Sequence, residues 1–261
     1  MELFANETDM PDIYNNWEDS FGDTKEEIAA FFTALKEEVQ VCVVRKEGVV
    51  AAQLCLLPIS VGGKEAMYLY AVATNKAYRK KGLCTLLLKK VARWLESQNK
   101  CGILVPADIS LQAFYHKRGF RHCFIEQRVL IQGKPADTLR IETCTVSRYI
   151  MLRKQAFLGK NCVEVSDRML RYALEGYLQS GYQLGTCLWQ EREFGVLYRE
   201  TDKLFIQEIT VFDEEEAKEA TEVFVAGRGK REAWLQRSYP TMATGLPEEI
   251  CKNGYFNLVL D

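Results

Sequence analysis

The chain has just two histidines, His116 and His122, among 261 residues. A histidine-rich metal site or a Ser-His-Asp triad therefore has few places to form, and no metal is expected. The nine cysteines include no C-x-x-C pair. An odd number of thiols at irregular spacing argues against a disulfide framework and for reduced, mostly buried cysteines in a cytoplasm. Neither sign of charge is in excess: the formal net charge is -2, so no global attraction to nucleic acid or to anionic membranes is expected. No apolar run reaches the length of a membrane span, and the opening stretch to Trp17 lacks the basic start and apolar centre of a signal peptide. What remains is 48% hydrophobic and 27% charged, the profile of a soluble globular protein with one large or two modest domains.

Periodicity places the elements. Ile13, Trp17 and Phe21 recur at helical spacing. Thr24 and Glu27 form a capping box for a second helix carrying Ile28, Phe31, Phe32 and Leu35. Val39 to Val44 and Val49 to Leu57 read as a hairpin around Lys46-Glu47-Gly48. Met67 to Ala73 is a further strand, with Tyr68 and Tyr70 on the face opposite Leu69 and Ala71. A helix with Leu83, Leu87, Val91 and Leu95 one turn apart follows, then a buried strand at Gly102 to Val105. A helix over Asp108 to Arg118 ends at Gly119 in a left-handed cap, and Phe120 to Leu130 reads as strand. In the second half, Ser147 and Ser166 are candidate N-caps. Tyr182 to Trp189 and Phe194 to Tyr198 form a hairpin, Leu204 to Val211 a strand, and Asp213 to about Phe224 a helix. The halves read as copies, with Met67 lying over Leu204 and the boundary at Gly133: domains 1–133 and 134–261.

One segment carries chemistry. Arg79-Lys80-Lys81-Gly82-Leu83-Cys84 joins a strand to a helix. The first turn of a helix offers unpaired N–H groups and a partial positive charge, which suit a pyrophosphate. Gly82 lets the backbone approach the ligand, and three cations surround it. Farther on, Tyr115-His116-Lys117-Arg118-Gly119-Phe120 closes the next helix.

These two stretches resemble the GNAT superfamily of acetyltransferases. Its phosphate loop runs Gln/Arg-x-x-Gly-x-Gly/Ala, which Arg79, Gly82 and Cys84 match with a thiol in the last place. Its second signature is an Asn followed by a helix ending Tyr-x-x-x-Gly-Phe, matched by Tyr115, Gly119 and Phe120 with Asp108 in place of the Asn. The resemblance implies an α+β fold with a mixed sheet in the first half, packed against a second GNAT-like half. It implies N-acetyl transfer from acetyl-CoA to an amine by direct attack, with a small-molecule acceptor. The backbone of Val72, Ala73 and Thr74 would hold the pantetheine and the thioester carbonyl. Arg79, Lys80, Lys81, Gly82, Leu83, Cys84 and Thr85 would hold the phosphates, and Tyr115 would be the general acid beside the sulfur. Tyr68 and Tyr70 either line the acceptor pocket or pack under a loop.

A base for the acceptor is harder to find. Glu65 and Glu126 flank the motifs, and the two-copy layout resembles the large aminoglycoside-modifying GNAT enzymes, in which a chain-terminal carboxylate enters the active site. That comparison nominates Asp261 at the end of an expected strand from Phe256. In the second copy the same register puts Glu216 over Arg79 and Glu219 over Gly82, so acids stand where a pyrophosphate would sit, and one acetyl-CoA per chain is expected. A non-catalytic acyl-CoA sensor and a protein lysine or N-terminal acetyltransferase are the alternatives.

Overall fold

The computed structural model describes residues 2–252, 254–258 and 260. They form two compact units. The first comprises residues 2–123 and 240–252, the second 124–239, 254–258 and 260.

The first unit opens with α1 (Met10–Phe21), stopped by Gly22 in a left-handed conformation. In α2 (Lys25–Ala34) the capping box of Thr24 and Glu27 is formed as expected. Strands β1 (Gln40–Lys46), β2 (Val49–Val61) and β3 (Lys64–Thr74) make an antiparallel meander. Helix α3 (Leu83–Ser97) crosses over to β4 (Cys101–Leu104), which pairs parallel with β3. Helix α4 (Ser110–His116) and the two-residue β5 (Arg121–His122) follow.

One face of this sheet is closed by the apolar stripe of α3. Leu87, Val91 and Leu95 pack on Leu54, Leu56, Leu69 and Leu104. Gly102 permits the close fit, since a Cβ there would lie 2.8 Å from Leu95 Cδ1. The opposite face receives Trp17 from α1 and Phe31 from α2, whose rings pack on Tyr70.

The second unit contains β6 (Gln127–Gln132), β7 (Arg140–Thr143), α5 (Val146–Phe157), the short β8 (Val163–Glu164), α6 (Asp167–Gln179), β9 (Gln183–Trp189), β10 (Arg192–Glu200), β11 (Leu204–Ile209), α7 (Glu214–Gly227) and β12 (Glu232–Ser238). The chain then returns to the first unit with β13 (Met242–Thr244) and α8 (Glu248–Cys251). The first sheet runs β1-β2-β3-β4-β13-β5 and the second β6-β12-β11-β10-β9-β7. Each is mixed: β3 pairs parallel with β4, and β11 with β12.

Four expectations change. The units are not contiguous halves divided at 133/134. Strand β13 hydrogen-bonds between β4 and β5, while β6 joins β12, so the ladders claim both segments across that boundary. The expected strand Phe120 to Leu130 is two separate strands for the same reason. Ser147 is no cap: Thr145 accepts the Arg148 N–H at 3.2 Å, whereas Ser166 does cap α6. Phe256 to Leu258 is not strand; only Tyr255 forms a bridge, with Cys162. Among the described residues no helix is long and apolar enough to cross a membrane.

Candidate active site

The site begins where β3 and β4 part. Their parallel ladder pairs Ala66, Met67 and Tyr68 with Cys101, Gly102 and Ile103, and goes no further. On its other side β3 stays paired with β2 as far as Thr74. From Leu69 onward, therefore, the β4-facing edge of β3 has no strand neighbour among the described residues. A one-residue bulge helps to turn it: the register shifts between Gln53 and Cys55, and Ala71 adopts φ 49°. A left-handed non-glycine residue is costly, and such bulges re-aim strands beside functional sites.

Beyond Thr74 the chain makes a 3-10 turn at Lys76–Tyr78, started by the Asn75 side chain accepting the Ala77 N–H at 3.0 Å. Arg79 folds back, donating Nε to the Thr74 carbonyl at 3.1 Å. Lys80 (φ 60°) and Gly82 (φ 79°) are both left-handed, the backbone pattern that gathers N–H groups into an anion-binding concavity. Gly82 starts α3 with no side-chain cap and no acid in the first turn. The first helical bond is Leu86 N–H to Gly82 O, so the amides of residues 82–85 precede the intrahelical ladder. A Cβ at Gly82 would meet nothing within 4 Å. The turn thus opens onto free space, and the exposed Lys80 and Lys81 flank it.

The second motif comes to the same place. Tyr115 is 7% exposed, with its ring against Phe114 and Phe120. Burial pushes its phenol well above the ordinary tyrosine range, and it lies near enough to Cys84 and Arg118 to feel their charges. Cys84 is itself raised by burial and hydrogen-bonds Thr74, joining the first turn of α3 to the end of β3. Arg118, which the sequence reading did not single out, donates Nε to Thr85 Oγ1 at 2.8 Å and stacks on Phe114 at 3.4 Å. Its position three residues after Tyr115 was the available signal. Asp108, in the Asn position, accepts the Ser110 N–H at 2.7 Å and shapes the start of α4.

The proposed acceptor face is aromatic. Tyr70 is half-buried between Trp17 and Phe31, and Tyr68, 2% exposed, packs on Tyr70. Glu65 is at the far end of β3, more than about 20 Å of strand from Val72, and pairs with Lys100 at 3.6 Å. It is too remote to serve as the base. Glu126 is exposed in the second unit, and Asp261 lies outside the described residues. Among the described residues no cluster of metal-ligating side chains occurs.

The second unit has a similar order of strands and helix, with acids at the helix start where the first has its basic loop. Strand β11 also bulges against β10 and pairs with β12 only from Leu204 to Ile206. The corresponding first paired residue is Ala66, one position away from the register expected from sequence. The connection to α7 is residues 210–213, half the length of 75–82. Consequently Asp213, not Glu219, takes the place of Gly82, and its carboxylate accepts the Glu216 N–H at 3.0 Å. Three glutamates, Glu214, Glu215 and Glu216, fill the first turn. A cavity of about 410 Å³ lies there, lined by Trp189, Phe194, Phe212, Asp213, Glu216 and Glu219 among others.

The gap between β11 and β12 is filled by the chain itself. The Asn257 amide donates to the carbonyls of Gln207 and, at 3.0 Å, Gln236, bridging the two strands. Tyr255 Oη donates to Glu208 Oε1 at 2.8 Å. Glu208 is fully buried and also accepts from Tyr149 Oη and Arg153 Nε, each at 3.0 Å. The sequence reading passed over this network, although Gln207-Glu208 inside the apolar run LFIQEITV was a visible irregularity.

Residues 4–123 match the family described as "Acetyltransferase (GNAT) domain". Among solved structures, a conserved protein from Enterococcus faecalis V583 named a probable N-acyltransferase has a TM-score of 0.75 at 16% identity, covering 92% of this chain and 71% of its own. A GCN5-related N-acetyltransferase from Kribbella flavida scores 0.67 at 14% identity, covering 92% and 69%. Another from Anabaena variabilis ATCC 29413 scores 0.67 at 16%, covering 92% and 71%. At such identities the likeness is one of fold. A comparison with curated protein sequences finds no match.

Proposed function

From the match of residues 4–123 to a GNAT acetyltransferase domain, we propose that the chain moves an acetyl group from acetyl-CoA to the amine of a small molecule in the cytoplasm. The observation that carries this reading is the open edge of β3 beyond Tyr68, leading through Gly82 into the uncapped start of α3 with Tyr115 beside it. The fit is chemical. An extended arm needs a strand edge, and a pyrophosphate needs clustered N–H donors and room above a glycine.

Bound acetyl-CoA would supply the acyl group already activated as a thioester. The protein's part is to orient and to manage protons. Backbone N–H groups along Val72–Thr74 would donate to the thioester oxygen, where a preset donor matters most as negative charge grows. Tyr115 keeps its proton because burial disfavours phenolate, so it can donate to the departing sulfur. The amine approaches on the Tyr70 side. Asp261 is retained as a proposed proton acceptor, tested by deleting it.

The second unit is proposed to be structural, leaving one cosubstrate per chain. Supporting this are the acids on α7 and the Asn257 bridge across the β11–β12 gap. Calorimetry with acetyl-CoA and turnover on a broad amine panel test the whole reading. One binding site with transfer to small amines supports it. Tight binding without transfer or hydrolysis would mark a sensor, and transfer confined to peptide substrates would mark a protein acetyltransferase.

A further inference from the structure

The cysteines are free thiols, and several are shut in: Cys42, Cys55, Cys162 and Cys187 are at most 1% exposed. Cys123 and Cys251 are placed differently. Cys123 follows β5, and Cys251 ends α8, the short helix of the segment that returns to the first unit. Backbone and side chain alike hold that segment against β5. Met242 and Ala243 of β13 pair with His122 and Arg121. The Cys123 N–H donates to Thr241 O, and Arg121 Nη2 to Leu246 O, each at 3.0 Å. This packing brings two sulfurs together, since the Cys123 and Cys251 side chains share a hydrogen bond. Cys123 is 7% exposed and Cys251 is half-buried, so one thiol is shielded while its neighbour is open to a small solute.

We propose that Cys123 and Cys251 are a redox modification site, at which hydrogen peroxide converts the two thiols to a disulfide that fastens α8 to the end of β5. Cys251 reacts first, because oxidation follows exposure and burial holds Cys123 as a thiol. The Cys251 sulfur attacks one peroxide oxygen, the O–O bond breaks, and the departing hydroxide takes the thiol proton and leaves as water. A sulfenic acid remains. The Cys123 sulfur then attacks the oxidised sulfur, the S–O bond breaks, and a second water leaves with the Cys123 proton. Two thiols have lost two electrons and two protons, and one peroxide has become two waters. Cys101 is near enough to Cys251 to feel its charge, but its thiol donates to Gly245 O at 3.2 Å. The new bond encloses residues 124–250, which carry every strand and helix of the second unit. Closing so long a loop restricts the unfolded chain strongly. Thiol exchange in a reducing compartment would reverse it, as suits a transient, redox-sensing disulfide. This inference is independent of the catalytic reading.

The test is peptide mapping of the folded full chain by mass spectrometry after titration with hydrogen peroxide. Wild type should yield one linked peptide pair, containing Cys123 and Cys251 and lighter by two hydrogens, which dithiothreitol separates. The oxidised chain should melt several degrees higher than the reduced one. Cys123→Ser removes the resolving thiol, so the sulfenic acid on Cys251 should persist and be trapped by dimedone. Cys251→Ser should give neither the linked pair nor the trapped adduct. A wild-type chain with no such pair at peroxide levels that oxidise its other accessible thiols overturns the proposal, and so does a link from Cys251 to Cys101 instead. The mapping on wild type needs no variant to fold.

Discussion

Arg118 donates its Nε to the hydroxyl of Thr85 at 2.8 Å, so the turn that follows α4 is fastened to the first turn of α3. This bond holds the two motifs of the first unit as one piece, and it does so where the phosphates and the sulfur are proposed to lie.

Removing that bond should loosen cosubstrate binding. Thr85→Val keeps the shape and loses the acceptor, at a cost of about 1 kcal/mol or severalfold in acetyl-CoA affinity. Arg118→Ala also loses the stacking on Phe114 and should cost more. A double-mutant cycle on the acetyl-CoA dissociation constant should show the pair to be non-additive.

Tyr115→Phe should lower kcat by roughly 10²–10⁴-fold while leaving acetyl-CoA affinity intact. The pH profile gives a second check. Burial raises the phenol above its ordinary value, and an acid works only while protonated. Rates should therefore show no alkaline fall from this group up to about pH 10, the unperturbed tyrosine value.

Gly82→Val should weaken acetyl-CoA binding and also destabilise the fold by about 1–2 kcal/mol, because a β-branched residue resists φ 79°. The corresponding change in the second unit, Asp213→Ala, removes only a cap. It should cost about 1 kcal/mol of stability and leave calorimetric stoichiometry at one.

Glu208→Gln would leave the Arg153 guanidinium buried without its counter-charge, since Arg153 is only 4% exposed. The expected loss is about 3–5 kcal/mol, read from the denaturant midpoint. Pairing Glu208→Leu with Arg153→Met should recover much of it, since an apolar replacement of both partners avoids the stranded charge.

Acid should weaken the first unit through Asp9. Its carboxyl is held below the usual range chiefly by the hydrogen bond from Arg45, whose Nε lies 2.8 Å away. A depressed carboxylate contributes stability above its unfolded value, and that contribution disappears as pH falls through the folded one. Between about pH 4 and the folded value, Arg45→Ala should flatten the loss of Tm with falling pH.

Much of the first unit was readable in the chain. The stripe of Leu87, Val91 and Leu95, the Thr24 capping box and the Gly119 cap are local, set by spacing and by one or two side chains, and each appears where expected. Gly82 and Tyr115 were legible as motifs because short-range backbone needs restrict the residue types allowed there. The second unit was legible as an order of elements but not in register. A loop half as long moves Asp213 into the place given to Glu219, and a sequence offset cannot reveal where residues have been lost between two weakly similar copies.

By itself the sequence determined the α+β class, the helix faces and the residue types of the phosphate loop, since periodicity and glycine conformation act within a few residues. Only the tertiary structure decided which strands share a sheet. Strands β13 and β6 cross the expected boundary because unsatisfied strand edges take whatever partner the fold brings alongside. It also decided that β3 parts from β4 after Tyr68, that Arg118 reaches Thr85, and that Asn257 closes the corresponding gap in the second unit. Those relations join residues up to a hundred or more positions apart in some cases, such as β4 with β13, and no local pattern encodes them.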